Sequence, residues 1–94
     1  MELGKVVGQV VSTVRDASMP HLTLLLVDVV DGRGRVLYSG QVAADTLGAG
    51  EGELVLLARG SSARKILEKP VPVDLSVVGI VDQVSSEGRS LYQK

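Results

Sequence analysis

The chain has 94 residues, 45% of them hydrophobic, with ten Lys and Arg against eleven Asp and Glu. So short a chain hides only about 60–65% of its unfolded surface, so its apolar surplus is expected outside, as contact area for partners. A net charge of −1, no Phe or Trp and two tyrosines argue against a nucleic-acid binder, which needs a basic surplus and stacking platforms.

M-E-L-G-K-V-V does not read as a signal peptide, because no basic segment precedes an apolar one. No apolar run approaches the roughly 20 residues of a membrane helix, so a soluble intracellular chain is expected. Residues 3–15 are rich in valine and broken by Gly4 and Gly8, which favours an extended strand over a helix. Gly8 in mid-strand marks a bulge or tight bend, or is merely a small residue beside a bulky neighbour. The loop D-A-S-M-P-H leads to L-T-L-L-L-V-D-V-V, residues 22–30, so continuously apolar that both faces are expected to be covered. Asp31-Gly32-Arg33-Gly34 is a hairpin turn in which Asp-Gly favours positive φ. The return strand runs from Val36 to about Ala44 and carries Tyr38 and Gly40.

The centre of the chain is G-A-G-E-G-E, then L-V-L-L-A, then G-S-S-A-R. Three glycines in five positions mean a backbone that visits φ > 0 or admits a close approach. A dinucleotide fingerprint would need them after a strand and opening a helix, whereas here they open a strand, residues 54–58, and no Gly-Lys-Ser/Thr follows. A turn shaped for protein contact is the expected reading. Residues 60–67 suit a short helix with Ser61 or Ser62 as N-cap, ending before Pro70. V-P-V-D is expected to be extended, residues 75–84 form the last main strand, and the tail 85–94 adds a short edge. The outcome is all-β: a small, partly open five-stranded barrel of the OB type with one short helix, in a single domain spanning 1–94.

Chemistry is hard to find. His21 is the sole histidine, and without cysteines there is neither a disulfide framework nor a thiolate site, as suits a reducing cytoplasm. No G-x-S-x-G elbow is present. Asp45, Glu51, Glu53, Asp74 and Asp82 are acid/base candidates in principle, but so small a domain has little room for a cleft. They read better as turn-stabilising or solvated groups, with Asp74 and Asp82 able to accept backbone N–H bonds or to pair with Arg59 or Arg64. Catalytic, metal and cofactor sites are therefore not expected.

G-K-V-V-G-Q-V-V-S-T, V-A-A-D-T-L-G-A-G-E-G-E, G-S-S-A-R and P-V-D-L-S-V-V-G-I-V-D together resemble the EutN/CcmL family, the pentameric vertex proteins of bacterial microcompartment shells. The resemblance covers almost the whole chain, with similar spacing. It implies a non-enzymatic barrel subunit that forms a homopentamer and plugs the fivefold corners of a shell, carboxysome or metabolosome, in the bacterial cytoplasm. Hexameric shell proteins are the implied partners, with trimeric ones as further candidates, and no nucleic acid, membrane or cofactor. Gly48, Ala49, Gly50, Gly52 and Glu53 would form the rim that meets neighbouring hexamers, joined by Arg15, although T-V-R-D stands where the family often has a more basic stretch. Gly60, Ser61 and Ser62, small and polar on a turn, are the candidates for lining a central opening. The alternative is an OB-type module for single-stranded nucleic acid, which the missing aromatics and a salt-dependent binding test discriminate.

Overall fold

The computed structural model describes residues 1–67 and 71–94. Five strands close into a barrel: β1 (Glu2–Val10), β2 (Thr23–Val30), β3 (Val36–Asp45), β4 (Leu54–Arg59) and β5 (Leu75–Ile80), in the spatial order β1-β2-β3-β5-β4. All neighbours are antiparallel except β3 and β5, which meet in parallel through Ala44 and Ser76. One helical turn, α1 (Ser61–Arg64), follows β4, and a separate hairpin, β6 (Gln83–Ser86) with β7 (Arg89–Gln93), ends the chain.

Alternation along the strands sends Val6, Leu25, Val27, Val29, Ala43, Val55, Leu57, Leu75 and Val77 inward to one buried cluster. Each fully buried Val or Leu stabilises the fold by about 1.5–3 kcal/mol before chain entropy is counted. A second cluster, Val30, Leu54 and Val81, lies under the C-terminal hairpin and is covered by Leu3, Leu56, Val84 and Tyr92. The barrel is tight enough that Gly4, between Val29 and Val55, has no room for a side chain: a Cβ there would lie 2.6 Å from Leu57 Cδ1.

The bulge expected at Gly8 is present, since the β1–β2 register slips between Val6 and Gly8. Several expectations need correction. The first strand ends at Val10 rather than Arg15, and residues 11–22 form a loop whose carbonyls are held by Arg15. In the hairpin turn the positive φ belongs to Gly34 (86°), not to Gly32. The Gly34 N–H donates to the Asp31 carbonyl, and the Asp31 carboxylate accepts the N–H groups of Arg33 and Arg35. Neither serine caps α1. Gly60 occupies the cap position at φ 69° and ψ −140°, with no side-chain cap bond, because only glycine tolerates that backbone. The helix spans Ser61–Arg64, and the stop expected at Pro70 lies outside the described residues.

The segment V-P-V-D is not extended throughout: the Val73 N–H bonds to the Val71 carbonyl, closing a three-residue turn about Pro72. The last strand breaks after Ile80, so Gln83 and Val84 belong to β6 and the tail is a hairpin rather than an edge strand. Arg59 pairs with Glu2 at 2.8 Å, tying the end of β4 to the start of β1, and Arg64 donates to the Val73 carbonyl. The expected pairings with Asp74 and Asp82 are therefore not formed by either arginine among the described residues.

Candidate functional site

The loop 46–53 runs from the end of β3 to the start of β4, and its backbone is fixed from both sides. At the entrance stands Asp45, 4% exposed, whose carboxylate accepts the N–H groups of Leu47 (3.0 Å) and Ala49 (2.9 Å). Two N–H donors compensate for burying that carboxylate. At the exit the Gly52 N–H donates to the Val6 carbonyl and the Val6 N–H to the Glu53 carbonyl, so the β1–β4 pairing continues into the loop. Ala49 packs against the main core and seats the loop on the barrel.

Between these anchors, residues 50–53 form a tight turn. The Glu53 N–H donates to the Gly50 carbonyl, and Gly52 takes φ 89° at the third position, where this turn requires positive φ. Gly48, at φ 81°, makes the earlier bend. Gly50 has ordinary φ. Its N–H donates to Glu53 Oε1 at 2.6 Å, and a Cβ at Gly50 would lie 3.3 Å from the same oxygen. The other Glu53 oxygen pairs with Lys94 Nζ at 2.5 Å. The Lys94 ammonium, and then the Gly50 N–H, hold the Glu53 carboxyl below the ordinary glutamate range. Outward, the loop presents Thr46, Leu47, Gly48, Gly50, Glu51 and Gly52, half of them glycines.

Thr23 pairs with Asp45, which brings the loop 11–22 beside this one. A shallow groove between them is lined by His21, Leu22, Thr23, Asp45, Thr46, Gly48 and Ala49. Arg15 thus belongs to the same end of the barrel as the glycine loop, but its guanidinium is turned inward. Its Nε donates to the Ser12 carbonyl (2.7 Å), and its Nη1 donates to those of Pro20 (2.8 Å) and Leu22 (3.1 Å). Arg15 therefore shapes the loop next to the rim candidates. His21 stands exposed in the groove, and among the described residues no three His, Cys, Asp or Glu side chains converge.

Gly60, Ser61 and Ser62 stand apart from this loop, past the far end of the six-residue β4, which spans roughly 20 Å at strand rise. Both serines are exposed. Sequence reasoning missed the Glu53–Lys94 pair, because nothing local links the two residues. It also missed the exposed, uncharged run at the start of β3, whose signal was already visible in V-L-Y-S-G-Q-V-A-A. What the loop offers chemically is a preset backbone whose exposed glycines, at positions 48, 50 and 52, can admit another backbone closely, beside the exposed Leu47 and Glu51 side chains.

The family described as ethanolamine utilisation protein EutN/carboxysome matches residues 1–82. The chain is 45% identical to the bacterial microcompartment shell vertex protein EutN of Salmonella typhimurium, covering 100% of this chain and 96% of that protein. It is 44% identical to the carboxysome shell vertex protein CcmL of Gloeobacter violaceus, covering 100% and 95%. Among solved structures, the GrpN pentameric microcompartment shell protein of Rhodospirillum rubrum superposes with a TM-score of 0.81 at 44% identity, over 92% of this chain and 100% of that one.

Proposed function

The chain belongs to the EutN/CcmL family, and from that premise we propose that it is a structural subunit whose pentamers cap the fivefold vertices of a microcompartment shell. The observation that carries this is the full-length likeness to shell vertex proteins, together with the pentameric state named for a relative of the same fold. The absence of a basic surplus supports the same reading over a single-strand nucleic-acid module. Its role is to join, not to catalyse. Its place is the shell of a compartment in the bacterial cytoplasm.

In this reading the loop 46–53 is the rim that meets hexameric shell proteins. Gly48, Ala49, Gly50, Gly52 and Glu53 supply the contact backbone, and Arg15 holds the adjoining loop in shape. Gly60, Ser61 and Ser62 line the fivefold axis, where crowding of five copies admits only small side chains. Co-expression with hexameric shell proteins tests the assignment. Closed polyhedra carrying five copies at each corner are expected with the chain, and open corners without it. Shells that close equally well in its absence contradict the reading.

A further inference from the structure

The C-terminal hairpin lies over Val30 and Leu54, and beside it is a cavity of about 180 Å³. Its walls come from segments distant in sequence: Lys5 of β1, the turn Asp31–Gly34, Gly52 with Leu54, and Leu91 with Tyr92 of β7.

Two kinds of surface meet there. Val30 and Leu54, both buried, and the half-buried Leu91 make an apolar floor. The polar side chains are donors: the Lys5 ammonium, the Arg33 guanidinium and the Tyr92 hydroxyl. Neither cation forms an ion pair among the described residues. Asp28 stands opposite Lys5 in the β1–β2 ladder, but its carboxylate accepts the Gly40 N–H. Asp31 also lines the cavity, and its carboxylate is already engaged: Oδ1 accepts the N–H groups of Arg33 and Arg35, and Oδ2 accepts the Arg35 guanidinium. The Tyr92 oxygen accepts the Leu54 N–H at 3.4 Å, which leaves its own proton without an acceptor among the described residues.

Three donor side chains, two of them cationic, with the neighbouring carboxylate engaged, select an anion. The apolar floor disfavours a bare inorganic anion, because it replaces none of the hydrogen bonds such an ion gives up with its water. Volume sets the size: a cavity of about 150 Å³ holds benzene, so roughly six to eight non-hydrogen atoms fit.

We propose that this cavity binds a short-chain carboxylate. Its carboxylate group lies against Lys5, Arg33 and the Tyr92 hydroxyl, and its hydrocarbon body on Val30, Leu54 and Leu91. Lys5 and Arg33 are exposed, so their attraction is screened by salt and binding weakens as ionic strength rises. Because Gly52 belongs to the wall, the occupant touches the base of the glycine loop 46–53.

An NMR titration of the isotope-labelled, assembled protein with sodium butyrate tests this, at ionic strength held constant with sodium chloride. Saturable shifts are expected in the amides of Gly32, Gly34, Gly52 and Leu91. Butylamine, with the same hydrocarbon body and the opposite charge, is expected to give none, and sodium phosphate is expected not to saturate in the butyrate range. Lys5→Gln and Arg33→Gln are each expected to weaken butyrate binding about fivefold, as losing one solvent-exposed charged partner does, with the circular dichroism of the barrel unchanged. Butyrate shifts that never saturate, or that gather away from these four amides, overturn the site, and that readout needs no variant to fold. Phosphate binding as tightly as butyrate overturns the carboxylate assignment in favour of an inorganic anion. Butylamine binding equally well, or unchanged affinity in both variants, overturns the role of the two cations.

Discussion

Gly4 shows how little slack the barrel has. A methyl group there meets the side chain of Leu57, which is fully buried, so Leu57 must shift within the packed core to make room. Gly4→Ala is therefore expected to cost about 1–3 kcal/mol, as overpacked cores do, and Leu57→Val, which shortens the obstructing side chain, to offset part of that cost. Urea denaturation of the two single variants and the double variant checks this, and simple additivity would contradict it. Ser76 presents the opposite case. Ser76 is 1% exposed and its buried hydroxyl has no hydrogen-bond partner among the described residues, so Ser76→Ala should raise stability by about 1 kcal/mol. A thermal melt that falls instead would mean that the hydroxyl is bonded in the native protein. At this scale the sequence was legible where geometry forces a residue type: glycines at positions 48 and 52 take positive φ, and Asp45 stabilises its turn. It misled at Ser61 and Ser62, because side-chain capping lost to a backbone conformation that only Gly60 can hold.

Among elements, the loop 46–53 and the C-terminal hairpin form one unit. Lys94 reaches Glu53, the Lys94 N–H bonds to the Asp82 carbonyl, and the hairpin covers Leu54 and Val30. The Glu53 carboxyl is held below its ordinary range, so the contact stabilises the folded chain above the unfolded glutamate pKa of about 4.3 and is lost as pH falls through the lower folded value. In an NMR titration the Gly50 amide should shift in that acid window. Glu53→Gln should abolish the shift, and Lys94→Gln should move it toward the ordinary value; an unchanged profile in both variants would contradict the coupling. Gly50→Arg tests the rim. Gly50 has ordinary φ and only the Glu53 carboxylate must give way, so the fold and the pentamer should survive while shells lose their corners. Normal capping by a folded, pentameric variant would remove this loop from the contact. The five barrel strands were legible from valine-rich runs and turn residues. The hairpin at residues 83–93 was not, since its pairing is recorded in register rather than in hydrophobic pattern.

The molecule as a whole is elongated, 47 × 23 × 21 Å, and exposes more surface than its mass requires. Its main core holds nine side chains, while the apolar residues left over gather on β3 and on the loops. Composition alone showed that such a surplus had to exist; its location needed the topology, in which β5 covers β3 only at Ala44. Closure into a ring follows if one face of each copy meets a different face of the next. The central claim is tested most directly by native mass spectrometry of the purified chain at micromolar concentration. The account predicts one dominant species of about 50 kDa, five times the 9.9 kDa chain. A spectrum holding only monomers and dimers would contradict it.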